Sequence, residues 1–500
     1  MVNDHSAIVD RYDAVIFDVG NTLVRQANPG TPVGELRPEL LTGVAETVAL
    51  LRGKVKLGIV SNTTSMTSAD LMLHLVAAGI GEAFDFVVAT ADLGVHKPDP
   101  QPLKVALDAL GVTADAALYV GDNEIDRMAA ERAGMGFAFA GPNLFESLAR
   151  HGHHPKSAFL RAAESVRRPD DTFATNVGQR FDGLVKPVGS LGALEGIVAR
   201  IAAIQHTDMP SADPCGAVIF CGDHGIAVDD TVTPWPQEIS ATMSEVIASG
   251  RAVSSAFARS NDIYLEIVDV GLARQVGHDL VRDESVRRGT ADLRFGAALD
   301  RDQVISALEV GARSAERIIA GGSRLLCVGE VGMGNTTISA ALIAHFCDVV
   351  PGDATGRGAG IDDATLDRKR AVVSDAVASV AGITDPISVA AAIGGLEVVA
   401  MAGFMIGAGS LGVPVVLDGV VTQAAACLAA AIVPEVAATC IAGHRSAEPA
   451  SQVALQHLGL EPILSLNLRL GEGTGAMLAI PVLRAACRIL SEVASLADIM

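Results

Sequence analysis

Close to the end of the chain, Asn467–Ile480 reads N-L-R-L-G-E-G-T-G-A-M-L-A-I, setting one carboxylate, Glu472, between Gly471 and Gly473 with Gly475 just beyond. The glycines clear side chains from both flanks, so a flat ligand can approach backbone and acid together, and the acid can accept a proton. The competing reading is a glycine-rich turn carrying a solvated Glu. A second cluster, Gly329-Glu330-Val331-Gly332-Met333-Gly334-Asn335-Thr336-Thr337, follows an apolar strand and leads into a helix rich in Ala and Ile. Free amides at a glycine-rich helix start can hold a phosphate. No Gly-Lys-Ser/Thr follows, which favours a phosphorylated small molecule over a nucleoside triphosphate. Another glycine-rich loop, Gly356–Asp363, precedes Lys369, which is either the cation for that phosphate or a surface lysine. Cys221-Gly222-Asp223-His224-Gly225 ends a further apolar strand, and its Asp-His pair reads equally as a polar contact or as a structural turn.

The first 150 residues carry different chemistry. Asp18 follows the strand Ala14–Phe17, Ser61 follows Lys56–Val60, Lys97 lies in G-V-H-K-P-D-P, and Asp122 and Asp126 follow Ala117–Val120. Carboxylates suit a hard cation such as magnesium, and a clamp of cations and hydroxyls suits a phosphoryl group.

The elements that must position these groups alternate apolar strands with helical patterns, which predicts an α/β protein of two domains. Each is a parallel sheet flanked by helices, with polar loops at the strands' carboxyl ends. Residues 1–150 form the first domain, 151–177 a linker with a docking helix, and 178–500 the second domain. Within the linker, His151, His153 and His154 read as a solvated turn rather than a metal site. Val398–Leu417 is uncharged, but its glycines and Pro414 make it a buried helix followed by a buried strand rather than a membrane span. Half of the residues are hydrophobic and the net charge is −21, a balance that disfavours nucleic acid and anionic membranes as partners. The seven scattered cysteines and the acidic start without an export signal place the chain in the cytoplasm with reduced thiols.

The ordered Asp18, Ser61, Lys97 and Asp122/Asp126 motifs resemble the haloacid dehalogenase superfamily. The resemblance implies Asp18 as nucleophile, Ser61 on the phosphoryl group, Lys97 offsetting charge, Asp18 and Asp122 binding Mg2+, and Asp126 in support. Phosphatases of that superfamily carry a second Asp where this chain has Gly20. Without that acid a rate loss of about 10²–10⁴ is expected, and a non-catalytic, ligand-binding role is the alternative. The short interval between Asp18 and Ser61 leaves no room for a large helical cap.

From Phe181 onward, K-P-V-G-S-L-G-A-L-E, D-H-G, G-E-V-G-M-G-N-T-T, G-R-G-A-G-I-D-D, G-G-L-E, V-V-L-D-G, G-H-R-S-A-E-P and L-G-E-G-T-G-A resemble the nicotinate-nucleotide:dimethylbenzimidazole phosphoribosyltransferases. That likeness implies transfer of the 5-phosphoribosyl group from nicotinate mononucleotide to a benzimidazole-type base, without a cofactor, in a homodimer built through the C-terminal domain. It gives Glu472 the role of general base. Gly334, Asn335, Thr336 and Lys369 hold the 5′-phosphate, Glu330 lies near the ribose, and Asp223, His224, Gln237 and Thr242 complete the substrate contacts. Thr242 stands where the family often has Gln, so the preferred azole can differ from dimethylbenzimidazole, and Trp235 either lines the base pocket or packs. Adjacency implies that the first domain dephosphorylates the product, α-ribazole 5′-phosphate.

Overall fold

A computed structural model describes residues 8–9, 12–25, 37–64, 66–141, 143–145, 147–148, 158–229 and 231–499. It divides the chain into two compact units, residues 1–155 and 156–500. His151, His153 and His154 lie outside the described residues.

The first unit is a five-stranded parallel sheet built from β1 (Ala14–Phe17), β2 (Lys56–Ser61), β3 (Phe86–Ala89), β4 (Ala117–Gly121) and β5 (Gly136–Phe139), in the order β3-β2-β1-β4-β5. Its strands are nearly continuous apolar runs because helices cover both faces: Val15, Phe17 and Leu57 pack on one side, Ala14, Ile16 and Tyr119 on the other. Strand order reverses between β1 and β4, with Phe17 level with Val120, so Asp18 and Asp122 leave the sheet side by side at its carboxyl edge.

The second unit has six parallel strands: β6 (Cys215–Gly222), β7 (Ile263–Gly271), β8 (Val281–Asp283), β9 (Leu325–Val331), β10 (Val415–Leu417) and β11 (Cys440–Ala442), ordered β11-β10-β9-β6-β7-β8. Here the reversal falls between β6 and β9, where Cys221 is level with Val331. Alternation along β6 sends Val218 and Phe220 into one core and Cys215 and Ala217 into the other.

The helix Ala158–Ser165, expected as part of a linker, belongs to the second unit. Its Ala158, Phe159 and Ala162 enter the core, and Glu309 accepts the Ala158 and Phe159 amides at 3.0 and 3.1 Å, so two otherwise orphaned donors of its first turn are satisfied. Val398–Leu417 resolves into the buried helix Leu396–Ser410 and β10. Among the described residues one helix, Thr474–Glu492, is long and apolar enough to cross a bilayer by length and composition, and its Ala476, Ile480 and Leu483 are core residues.

The helices Arg301–Ala320 and Leu396–Ser410 cross at small residues. A Cβ on Gly311 would land on the Ala400 carbonyl, and one on Gly403 on the Leu308 carbonyl. Gly311→Ala gains about 0.5–1 kcal/mol of helix preference, but overpacking of this kind costs about 1–3 kcal/mol. The clash outweighs the gain. Thermal unfolding of Gly311→Ala is therefore expected at a lower temperature than the parent, and an unchanged or higher midpoint would show that the crossing relaxes freely.

Candidate functional site

In the first unit, Lys97 reaches inward to three side chains and a carbonyl. Its Nζ lies 2.8 Å from Asp18 Oδ1, 2.6 Å from Asp126 Oδ1, 2.7 Å from the Tyr119 hydroxyl and 3.3 Å from the Val60 carbonyl oxygen. Burial pushes Asp18 above the ordinary carboxylate range; the Lys97 charge opposes this, and Asp126 adds to it. Ser61 ends β2, buried at the same sheet edge. Asp18, Asp122 and Asp126 offer oxygens within 4.8 Å of one another, a hard-oxygen set that fits a magnesium-sized cation. Asp126 thus belongs to the same carboxylate set as Asp18 and Asp122, the two ligands expected from sequence, while also pairing with Lys97. Gly20 is half-buried and bridges to Val24, so its position supplies no acid.

The second unit opens a cavity of about 520 Å³ at the carboxyl edge of its sheet, within the size range of small-molecule sites. Glu472, Glu330, Gly334, Asn335, Thr336 and Lys369 all line it. Glu330 is the penultimate residue of β9, and the amide-rich turn after that strand begins at Gly332. Glycine is required where the two loops meet, because a Cβ on Gly329 would strike the Gly473 backbone nitrogen.

Lys369 comes from the helix Asp363–Ser379 but is only 2 % exposed, not the surface lysine its position in sequence allowed. Its Nζ donates to Thr336 Oγ1 at 2.8 Å. Burial lowers its pKa to about 8, against the nearby Glu448 charge, which favours the cation. The cation is present below that value and lost as pH rises through it. Affinity for ribose 5-phosphate, measured by titration of the full chain, is therefore expected to fall above about pH 8. Lys369→Met, which keeps the volume and drops the charge, is expected to flatten that dependence and weaken binding about 10- to 150-fold, the equivalent of ~1.5–3 kcal/mol for hydrogen bonds to a charged group. An unaltered profile in the variant would remove Lys369 from the phosphate site.

Three acids, Glu330, Asp418 and Glu472, also line the cavity. Asn335 donates to Glu330, and Glu330 is held well above the carboxylate range by burial and by the charges of Asp418, Glu397 and Glu472. Asp418, at the end of β10, accepts the amides of Gly473 (3.1 Å) and Gly475 (2.6 Å). Burial raises it to about 7 in spite of those bonds. Its position in V-V-L-D-G was visible in the sequence, but its part in shaping the Glu472 turn was not. Val232, Trp235, Ile239 and Met243 contribute to the apolar part of the lining.

Asp223, His224, Gln237 and Thr242, expected from sequence among the substrate contacts, are not brought into the lining of this cavity. His224 Nε2 lies 2.8 Å from Glu397 Oε1, both fully buried, and the pair sits behind the phosphate-type turn, where a Cβ on Gly332 would come 3.3 Å from that nitrogen. Burial pulls the His224 pKa down, but the Glu397 charge and hydrogen bond outweigh it, and the net shift is upward. Asp223 accepts the Ala273 amide at 2.9 Å, and burial raises it to about 6. Gln237 donates to the His224 carbonyl, and exposed Thr242 turns back to the Glu238 carbonyl of its own helix. The segment does face the cavity, through Thr233, Trp235, Ile239 and Met243.

Residues 166–499 match a family model described as phosphoribosyltransferase, and residues 33–140 match one described as haloacid dehalogenase-like hydrolase, a span that starts after Asp18. The chain is 44% identical over 329 residues to a nicotinate-nucleotide–dimethylbenzimidazole phosphoribosyltransferase from Salinispora tropica, a match covering 62% of this chain and 90% of that protein. With the enzyme of the same name from Thermus thermophilus it shares 41% identity over 312 residues, 62% of this chain and 93% of that one. The crystal structure of CobT from Thermus thermophilus superposes with a TM-score of 0.64 at 39% identity, covering 66% of this chain and 98% of that chain.

Proposed function

The chain belongs to the nicotinate-nucleotide–dimethylbenzimidazole phosphoribosyltransferase family, and from that premise we propose that its second unit moves the 5-phosphoribosyl group of nicotinate mononucleotide onto 5,6-dimethylbenzimidazole or a related azole. It is a phosphoribosyltransferase of cobamide assembly. The observation that carries the finer reading is that Glu472 lines the same cavity as the amide-rich turn Gly332–Thr336 and Lys369. The turn amides and Lys369 hold the 5′-phosphate and thereby orient the ribose. The azole lies against the apolar wall of Trp235, Ile239 and Met243, close to Glu472. As one azole nitrogen bonds to C1′, the C1′–nicotinate bond breaks with its electron pair going to the pyridinium nitrogen, and the proton on the other azole nitrogen passes to Glu472. The leaving nitrogen becomes neutral, so protein groups alone suffice for this step. Incubating the full chain with nicotinate mononucleotide and a panel of azoles tests this. Nicotinate and an α-linked ribazole 5′-phosphate should appear together, and binding of both ligands without release of nicotinate would leave a binding protein instead.

For the first unit we propose hydrolysis of the product, α-ribazole 5′-phosphate, with Asp18 as nucleophile, Ser61 on the phosphoryl oxygens and Lys97 orienting Asp18. Asp18, Asp122 and Asp126 would hold Mg2+, which supplies charge neutralisation at the phosphoryl group. Support comes from the ion pair that fixes Asp18 and from the compact carboxylate set. Phosphate release from α-ribazole 5′-phosphate that needs magnesium and stops with a chelator fits this reading. Release no faster than without protein would assign the unit a non-catalytic role, as Gly20 favours.

A further inference from the structure

Glu472 sits in a backbone conformation that a glutamate seldom adopts. Its φ is 58°, between Gly471 at 85° and Gly473 at 72°, so three consecutive residues are left-handed. The turn is fastened through its amides: Glu472 N–H donates to the Glu330 carbonyl at 3.3 Å, and Asp418 takes the Gly473 and Gly475 amides. These contacts fix the Cα of Glu472 but leave its carboxylate free to rotate. One side chain reaches the carboxylate itself: Ser254 Oγ donates to Glu472 Oε2 at 2.7 Å.

Ser254 lies in the first turn of the helix Val253–Ser260 and is fully buried. Ser254 spans 218 residues of sequence to reach the acid. Among the described residues Oε1 has no partner, and Glu472 is part of the cavity wall.

We propose that Ser254 is the positioning residue of the proton acceptor: its hydrogen bond occupies Oε2, sets the rotation of the carboxylate and presents Oε1 to the azole N–H. The inference rests on the reading of Glu472 as general base. In the transfer step the azole N–H bond breaks, its proton forms the Oε1–H bond, and the electron pair it leaves on the azole ring feeds the new C1′–N bond made by the other ring nitrogen. Ser254 neither gains nor loses a proton. A carboxylate that loses a donated hydrogen bond also holds a proton more tightly, so removing the hydroxyl has a signature beyond misplacement.

The test uses the full chain with Ser254→Ala, Ser254→Cys and Glu472→Gln, each checked for parental circular dichroism. For Ser254→Ala, kcat for nicotinate release is expected to fall about 10- to 100-fold, the scale of a small misplacement of a reacting group. KM for nicotinate mononucleotide should stay within about twofold, and the acidic limb of the kcat–pH profile should move to higher pH. Ser254→Cys, of similar size with a weaker donor, should lie between the two and remains informative if the alanine variant fails to fold. Wild-type kcat and an unmoved acidic limb in Ser254→Ala, beside an inactive Glu472→Gln, would overturn this inference alone. So would equal losses in the Ala and Cys variants with no change in the limb. An active Glu472→Gln would instead remove the reading beneath it.

Discussion

Replacing Glu472 with Gln is expected to lower the rate of nicotinate release by about 10²–10⁴, the usual worth of a positioned general base. Binding of nicotinate mononucleotide should be nearly unchanged. Glutamine keeps the size and shape of the side chain and can still accept from Ser254, so the left-handed turn at φ 58° and the Asp418 bonds to Gly473 and Gly475 have no reason to change. What disappears is an oxygen able to take a proton. The loss should therefore fall on kcat, because the interaction is made with the azole as its proton departs and not with the phosphate. Steady-state kinetics separate the outcomes: a raised KM with an intact kcat would make Glu472 a binding residue.

The second large effect is expected in the first unit. Asp18→Asn removes the carboxylate that would take the phosphoryl group, so magnesium-dependent phosphate release should fall on the order of 10³-fold or more, while transfer to the azole continues as an internal control. The parent activity is itself expected to be slow. Gly20 offers no proton to the departing alkoxide of a sugar phosphate, a deficit of about 10²–10⁴. That deficit depends on the leaving group. An aryl phosphate such as 4-nitrophenyl phosphate leaves without protonation and should be turned over faster than α-ribazole 5′-phosphate, and Asp18→Asn should abolish both. Equal release by parent and variant would show that the Asp18–Lys97–Asp126 cluster is structural. Lys97 still matters in that case, since it is the cation that offsets two buried acids.

Legibility in sequence followed burial. β1, β2, β4, β6 and β9 are apolar runs because both faces are covered, and each was visible to within a few residues. β3, β5, β8 and β11 were not identified: they are three or four residues long, and β5 and β8 are edge strands whose runs contain Gly136 and Arg282–Asp283. β7 was missed although it is nine residues long. Glu266 and Asp269 interrupt its pattern, and only the fold shows that Arg317 and Arg288 neutralise them. At the site, spacing around glycine made Glu472, Gly334 and Asn335 legible, because glycine requirements are local. Ser254 had no such signal, since V-S-S-A is ordinary helix sequence and its contact is made only when distant segments meet. His224 had a motif, and what the motif does not tell is its partner: the ring meets Glu397 beneath the phosphate-type turn, a contact that only the fold makes.

The most direct measurement is the ratio of parent to Glu472→Gln single-turnover rates across benzimidazoles of increasing N–H acidity, at fixed pH with nicotinate mononucleotide saturating. If Glu472 removes the azole proton, that ratio should be large for weakly acidic azoles and shrink towards one as the acceptor sheds its proton unaided. A ratio that stays the same across the series would contradict proton transfer to Glu472.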